Sequence, residues 1–210
     1  MVVAIDGPAG AGKSTIAKEI AKRLNITFLN SGSFYRAITF SLLNSNINLF
    51  DEKAVTDHAL SLNIEYVNSR LILNGVDVED KLHTDEIDEK VSVVSSILNI
   101  RHIVNDKIRL LAKKISIVCE GRDMTTVVFP DAEYKFYLDA SIETQALRRF
   151  KQGVSNLSLE KIKISIQKRD ELDKNKVGGA LKIASDAIYI DTSDLTIDQV
   201  CEIILSKIHI

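Results

Sequence analysis

The residues Gly7-Pro8-Ala9-Gly10-Ala11-Gly12-Lys13-Ser14 fill every fixed position of the pattern G-x-x-x-x-G-K-[ST]. They follow the apolar run Val2-Val3-Ala4-Ile5 and open an amphipathic segment from Thr15 to Leu24, so strand, loop and helix stand in the order that a phosphate-binding loop (P-loop) requires. Glycines at 7, 10 and 12 allow the tight turn that aims successive N–H groups at phosphate oxygens, and the following helix adds its positive end. Lys13 is expected to reach the β- and γ-phosphates of ATP, and the Ser14 hydroxyl to ligate Mg²⁺. The expected ATP-binding set is Gly7, Pro8, Ala9, Gly10, Ala11, Gly12, Lys13, Ser14 and Thr15, with Ser14 as the metal ligand.

With 210 residues, 45% of them hydrophobic, the chain is sized for one main α/β domain with small insertions and can bury a full core. A formal net charge of −2 with 27% charged residues argues against a general polyanion binder. Phosphate affinity must therefore be local, and no nucleic-acid partner is expected. Cys119 lies in an apolar run and Cys201 in a segment patterned as a helix; two cysteines allow neither a disulfide framework nor a zinc cluster. No basic segment precedes the first apolar run, which Asp6 ends, and no stretch approaches the roughly 18 apolar residues of a membrane span. The expectation is a soluble, cytoplasmic monomer with no membrane partner.

Along the chain, Ile16, Ile20 and Leu24 recur one turn apart opposite Lys18, Glu19, Lys22 and Arg23, the pattern of a surface helix packed on a sheet. Ile26 to Leu29 reads as a second strand, Ser33 as the cap of a helix from Phe34 to Leu43, and residues 51–62 as another helix. The pattern then changes. Asn63 to Val67, Arg70 to Leu73 and Val76 to Val78 are short runs separated by Asn68-Ser69 and Asn74-Gly75, and Asn-Gly between such runs signals a hairpin. A hairpin cannot belong to a sheet of parallel crossovers, so roughly residues 62–97 are read as an antiparallel insertion. Helical patterning returns over 84–99 and 101–114, with Arg101 and His102 at the join.

The apolar run Ile115 to Cys119 ends in Glu120-Gly121-Arg122-Asp123. Functional groups of a doubly wound sheet collect past the carboxyl ends of its strands, which makes Glu120, Arg122 and Asp123 candidates by position. A strand over 133–138 follows, then a helix over 141–150 ending in Arg148 and Arg149. A polar loop leads to a basic helix from Leu159 to Arg169, and the pair reads as a short lid. Ala187 to Ile190 is the last strand, and Ser193 or Asp194 is expected to cap a closing helix.

These segments together resemble the bacterial cytidylate kinase family, a group of P-loop nucleoside monophosphate kinases. The resemblance is carried by Gly7 to Ser14, by Asn30-Ser31-Gly32 with Tyr35-Arg36, and by the antiparallel insertion. It is carried further by Glu120-Gly121-Arg122-Asp123-Met124 running into Val127-Val128-Phe129-Pro130-Asp131-Ala132, and by Arg169-Asp170-Glu171-Leu172-Asp173. It implies ATP-dependent phosphorylation of CMP and dCMP, with Mg²⁺, in pyrimidine nucleotide metabolism. The implied fold is an α/β, P-loop NTP hydrolase-like parallel sheet flanked by helices, with a small antiparallel β insertion and a short helical lid. The implied division is a single kinase domain over 1–210: CORE 1–61, 98–149 and 170–210, a CMP-binding insertion of about 62–97, and a LID of about 150–169. CMP binding is carried over to Ser31, Arg36, Ser92, Arg101, Arg122, Asp123, Arg169 and Asp173, and catalysis to Lys13, Arg122, Arg169 and Asp173. The chain departs from the family pattern at Glu120, usually aspartate, at Thr125, usually glycine, at Lys176, usually the third lid arginine, and at His83, usually an arginine.

Other functions fit less well. A regulatory GTPase needs D-x-x-G and N-K-x-D, and Asn175-Lys176-Val177-Gly178 lacks the aspartate. A small-molecule kinase acting on shikimate, dephospho-coenzyme A or another nucleotide keeps the loop, but the antiparallel insertion tells against it. A non-enzymatic ATP binder has little use for Arg36, Arg101, Arg122 and Arg169. If the lid near residues 150–158 closes over nucleotides, its amide hydrogen exchange slows when CMP and a non-hydrolysable ATP analogue are both present, and less with either alone. Equal protection in free and doubly bound protein removes the lid from the mechanism.

Overall fold

The structure is a computed structural model that describes residues 1–151, 153 and 157–209, with Asp85 described by its backbone alone. Strand β1 (Val2–Asp6) enters the glycine loop, and helix α1 (Lys13–Leu24) leaves it two residues earlier than its apolar spacing suggested. Its N-cap, Gly12, is left-handed at φ 90° and offers no side chain to the first turn. The first amides of α1 thus stay open for an anion. The elements that follow are β2 (Thr27–Asn30), α2 (Ser31–Asn44), α3 (Glu52–Ser61), β3 (Ile64–Val67), β4 (Arg70–Leu73) and β5 (Val76–Asp77). Then come α4 (Asp85–Ser96), α5 (Leu98–Ala112), β6 (Ile117–Gly121), β7 (Tyr134–Asp139), α6 (Ile142–Lys151), α7 (Leu159–Asn175), β8 (Ile188–Asp191) and α8 (Ile197–Leu205).

The chain forms two compact units, one from Met1–Phe28 together with the residues from Ile115 onward, the other from Leu29–Lys114. In the first, the sheet order is β2-β6-β1-β7-β8, with β1 parallel to both β6 and β7 and β7 parallel to β8. A strand covered on both faces reads as a continuous apolar run, which is what Val2 to Ile5 shows. Val3, Ile5, Val118, Phe136 and Leu138 of the sheet pack with Ile16 and Ile20 of α1 and with Val200 and Ile204 of α8. Ala146 of α6 and Ile162 and Ile166 of α7 make a smaller core, against which Ala9 and Ile142 pack.

The second unit holds the antiparallel sheet β3-β4-β5. Both of its turns have two consecutive residues with positive φ, Asn68 and Ser69 at 51° and 61° and Asn74 and Gly75 at 50° and 81°. That is the handedness that matches the twist of a two-residue hairpin. Phe34, Ile38, Leu42, Leu71, Leu82, Ile100 and Ile108 are fully buried here.

Three local expectations are corrected. Helix α2 is capped by Asn30, whose side chain accepts from Gly32 N at 2.8 Å, so Ser33 lies inside the first turn. The break between α4 and α5 falls at Ile97, in extended conformation, and Arg101 N bonds back to Ile97 O, which puts Arg101 in the first turn of α5 rather than at the join. Neither proline nor glycine marks Ile97, so the two apolar patterns run on across it. Finally, α8 is capped by Thr196, with Gln199 completing a capping box, while Ser193 bonds to Asp191; T-x-x-Q at 196–199 is the stronger start signal. Helix α7 continues without a break through Arg169 and Asp170. Of the lid segment 150–158, Gln152, Val154, Ser155 and Asn156 lie outside the described residues. Among the described residues no helix is long and apolar enough to cross a membrane.

Gly7 has φ 150°, and a Cβ there would run into the backbone carbonyl oxygen of Leu138. A backbone oxygen in a central strand cannot move aside as a side-chain tip could. Gly7→Ala is therefore expected to lower unfolding free energy by about 3 kcal/mol or more, read by chemical denaturation.

Candidate active site

The first unit gathers its chemistry at the carboxyl ends of β1, β6, β7 and β8. Lys13 is 5% exposed, and its Nζ donates to Pro8 O at 2.7 Å, curling the side chain back over the loop. Burial lowers its pKa from 10.5 to about 7, with the Arg122 guanidinium and then Arg169 adding to the effect against the pull of Glu120 and Asp6. A buried ammonium pushed toward its neutral form is stabilised in its charged form by an added anion, which a polyphosphate supplies. Next to it, Ser14 Oγ donates to Glu120 Oε1 at 2.7 Å. A hydroxyl and a carboxylate are hard oxygen donors of the type Mg²⁺ takes, and a site with few protein ligands suits an ion that keeps its waters and shares substrate phosphates. Among the described residues no cluster of three or more His, Cys, Asp or Glu could hold a metal by itself.

A cavity of ≈ 400 Å³ opens on the loop, lined by Gly12, Lys13, Ser14, Thr15, Arg148 and Thr192 among others. Arg148 is held at its rim by Thr192, through NH1 to Oγ1 at 2.9 Å and NH2 to the carbonyl at 2.6 Å, and Thr192 Oγ1 reaches Ala11 O at 3.1 Å. Neither Arg148 nor Thr192 was selected from the sequence. Thr192 directly follows β8 and shares the carboxyl-end position that singled out Glu120.

Asp6 was also missed as a functional group, having served only as the end of the apolar run. It is fully buried, and its carboxylate accepts from Met124 N at 2.8 Å, Thr125 N at 2.7 Å and Thr125 Oγ1 at 2.6 Å. Burial nevertheless raises its pKa to about 6, the Thr125 hydroxyl being the largest of the opposing effects. The anchored residues belong to a π-helical turn over Met124–Val128. Arg122 Nε donates to Asp173 Oδ2 at 2.8 Å, and Lys176 reaches Asp173 Oδ1 at 2.9 Å. Thus Asp173, carried over to CMP binding and catalysis, orients two cations, and Arg122 pairs with it rather than with the adjacent Asp123, which is buried. Asp170, one turn earlier, accepts from Ala9 N at 3.0 Å. Arg169 is exposed on α7.

The second unit carries the remaining predicted residues. Ser31 is buried at the start of α2. Arg36 is held through NH2 to Asp88 Oδ1 at 2.5 Å and NH1 to Leu82 O at 3.2 Å. Arg101 is 6% exposed, donates to Ser95 O at 3.1 Å and lies 5.6 Å over the Tyr35 ring. A buried guanidinium presents a planar fork of N–H donors, the group that matches a planar anion. Ser92 sits on an exposed position of α4.

The family model described as "Cytidylate kinase" matches residues 3–210. The chain belongs to the cytidylate kinase family. It is 44% identical over 216 residues to a protein named cytidylate kinase from Borreliella burgdorferi strain ZS7, covering 100% of this chain and 97% of that one. It is 41% identical over 215 residues to the cytidylate kinase of Borrelia hermsii, covering 100% and 99%. Solved structures share the fold at low identity. An uncharacterized protein from Eubacterium ventriosum superimposes with TM-score 0.56 at 14% identity, covering 98% of this chain and 96% of its own. Shikimate kinase from Bacteroides thetaiotaomicron gives 0.51 at 10%, covering 98% and 97%. Two departures from the family pattern now have a physical reading. Glu120 spans to the Ser14 hydroxyl, and the side chain that Thr125 adds is spent on Asp6.

Because Lys13 titrates near 7 in the free protein, it is largely neutral at pH 8 and regains its proton when a polyphosphate arrives. Binding of ATP at pH 8 is therefore expected to take up a proton, seen as a dependence of calorimetric enthalpy on the ionisation enthalpy of the buffer, and the uptake fades as pH falls below 6. Lys13→Ala abolishes the uptake and lowers turnover more than about 100-fold. A folded Lys13→Ala protein that turns over normally removes Lys13 from the reaction.

Proposed function

We infer that the chain transfers the γ-phosphoryl group of ATP to CMP and dCMP, forming CDP and dCDP. The observation that carries this reading is the pairing of full-length membership in the cytidylate kinase family with a buried Lys13 beside the Ser14–Glu120 pair. Little covalent chemistry is required of the protein, because the acceptor is a phosphate oxygen already ionised near neutral pH. Its task is to align two polyanions and stabilise charge spread over the transferring oxygens. The amides of the loop and the open N-terminus of α1 hold the ATP phosphates, and Lys13 neutralises charge as it develops on the γ-oxygens. Ser14, with Glu120 beside it, would hold Mg²⁺, which would supply positive charge to offset that of the ATP phosphates. Arg36, Arg101, Arg122 and Arg169 act on the acceptor phosphate and offset its repulsion from ATP, Arg122 being aimed by Asp173 and Arg36 by Asp88. Asp123 and the serines Ser31 and Ser92 are assigned to the base. The functional division is CORE 1–61, 98–149 and 170–210, an acceptor-binding insertion of about 62–97 and a LID of about 150–169, working as a monomer in the cytoplasm.

A site built to accept from the exocyclic amine of cytosine loses a hydrogen bond and leaves a buried acceptor unpaired when uracil presents a carbonyl instead. In an ADP-release assay, CMP and dCMP are expected as good acceptors, UMP as a poor one, and AMP, GMP and shikimate as the weakest. Asp123→Ala loses CMP activity and brings the CMP to UMP ratio toward one. If AMP or shikimate turns over fastest, the cytidylate reading fails while phosphoryl transfer from ATP survives.

A further inference from the structure

The segment that follows β6 is not a free loop. Val127 N and Val128 N both bond to Asp123 O, at 2.9 and 3.1 Å, and Phe129 N bonds to Met124 O at 2.8 Å, winding one π turn directly after Arg122 and Asp123. Such turns are rare and frequently lie at functional sites. One carboxylate, that of Asp6, accepts three hydrogen bonds from this turn. Two of the three bonds come from backbone amides, which almost any residue supplies. The third, from Thr125 Oγ1, depends on residue type.

The position of that bond gives it a reach beyond local packing. Asp6 is covalently joined to Gly7 of the phosphate-binding loop, while Thr125 lies three residues after Arg122. Arg122 is held in turn by Asp173 of α7, and Asp170 of the same helix accepts from Ala9 N, back in the loop. The contacts close a ring: loop, Asp6, Thr125, Arg122, α7, loop. Within the ring the Asp6–Thr125 bond is wholly buried, with Asp6 0% and Thr125 1% exposed, so water cannot replace the donor if it is lost. We propose that Thr125 is a positioning residue for the acceptor side of the reaction, its hydroxyl fixing where Arg122 and Asp123 stand relative to the phosphate-binding loop. The proposal rests on the reading that Arg122 and Asp123 hold the acceptor. Removing the hydroxyl leaves Asp6 Oδ2 with one donor and slackens the π turn while leaving the loop's own amides and Lys13 in place.

The test compares wild type with Thr125→Val, which keeps the shape and removes the donor, and with Thr125→Ser, which keeps the donor and removes a methyl. Calorimetry measures CMP alone and a non-hydrolysable ATP analogue alone, and amide exchange is followed over residues 6–12 and 121–128. The expected result is that Thr125→Val binds CMP roughly 10-fold more weakly, as for a lost hydrogen bond to a charged group. The analogue is expected to bind within about 2-fold of wild type, exchange to quicken over 121–128, and Thr125→Ser to restore both properties. A purely structural role would weaken both ligands alike, or would leave Ser and Val equally impaired, and either result overturns the proposal, as does CMP binding by Thr125→Val equal to wild type. Arg122→Ala serves as the separate arm. If it binds CMP as wild type does, the acceptor assignment of Arg122 fails, and the Thr125 proposal fails with it. Faster exchange over 121–128 in Thr125→Val would then show a buried anchor without a role in the acceptor site.

Discussion

Parallel pairing of β1 with β6 on one side and β7 on the other brings three strand ends to the same edge of the sheet, with Asp6 opposite both Gly121 and Tyr137. Everything charged in the first unit's site hangs on that register. The glycine loop leaves β1, the Gly121-Arg122-Asp123 segment leaves β6, and the chain toward α6 leaves β7, each turning where backbone amides and carbonyls are no longer consumed by the ladder. Because the strands themselves are largely apolar and buried, polar side chains gather at this edge. The sheet therefore defines the site before any catalytic residue is considered.

The edge is also dry, and its charges are arranged accordingly. Lys13 and Asp6 are driven by burial toward their neutral forms, to about 7 and about 6 respectively. Charges in such a place are tolerated when donors or partners are fixed around them. Asp6 has three donors, all from the π turn. Asp173 lies between two cations, and there the effect of burial is outweighed by Arg122 and Lys176, so its pKa is lowered. Lys13 donates to one carbonyl and is pushed toward its neutral form by burial and by Arg122, so an incoming anion restores its charge. In the second unit, Arg36 and Arg101 are likewise held by side-chain, carbonyl and ring contacts before any ligand is bound. Arginines fixed in advance lose less rotamer entropy when a phosphate arrives.

Much of this was readable as sequence, and the parts that were not share a cause. The glycine loop, the strand ends at Glu120-Gly121-Arg122-Asp123 and the Asn74-Gly75 hairpin are local signals, each a matter of backbone freedom or of a residue's place next to an apolar run. The cap of α8 and the cap of α2 were misplaced among neighbouring polar residues, since several could accept from a first-turn amide and only the observed chain direction chooses one. The break at Ile97 carried no glycine or proline and so left no mark. Asp6, Arg148 and Thr192 escaped selection for a different reason: their partners lie 118, 44 and 181 residues away in sequence, beyond what spacing can show.

The sequence by itself determined the order of elements, the glycine loop with its lysine and serine, and the family, because these depend on contiguous patterns. Tertiary structure alone decided which charge meets which. It bonded Arg122 to Asp173 instead of to the neighbouring Asp123, gave Ser14 the Glu120 carboxylate, and turned an added threonine side chain into the third donor to a buried aspartate. Those pairings follow from strand register and helix placement, and hydrogen bonds of 2.6–2.8 Å form only between groups that the folded backbone has already brought together.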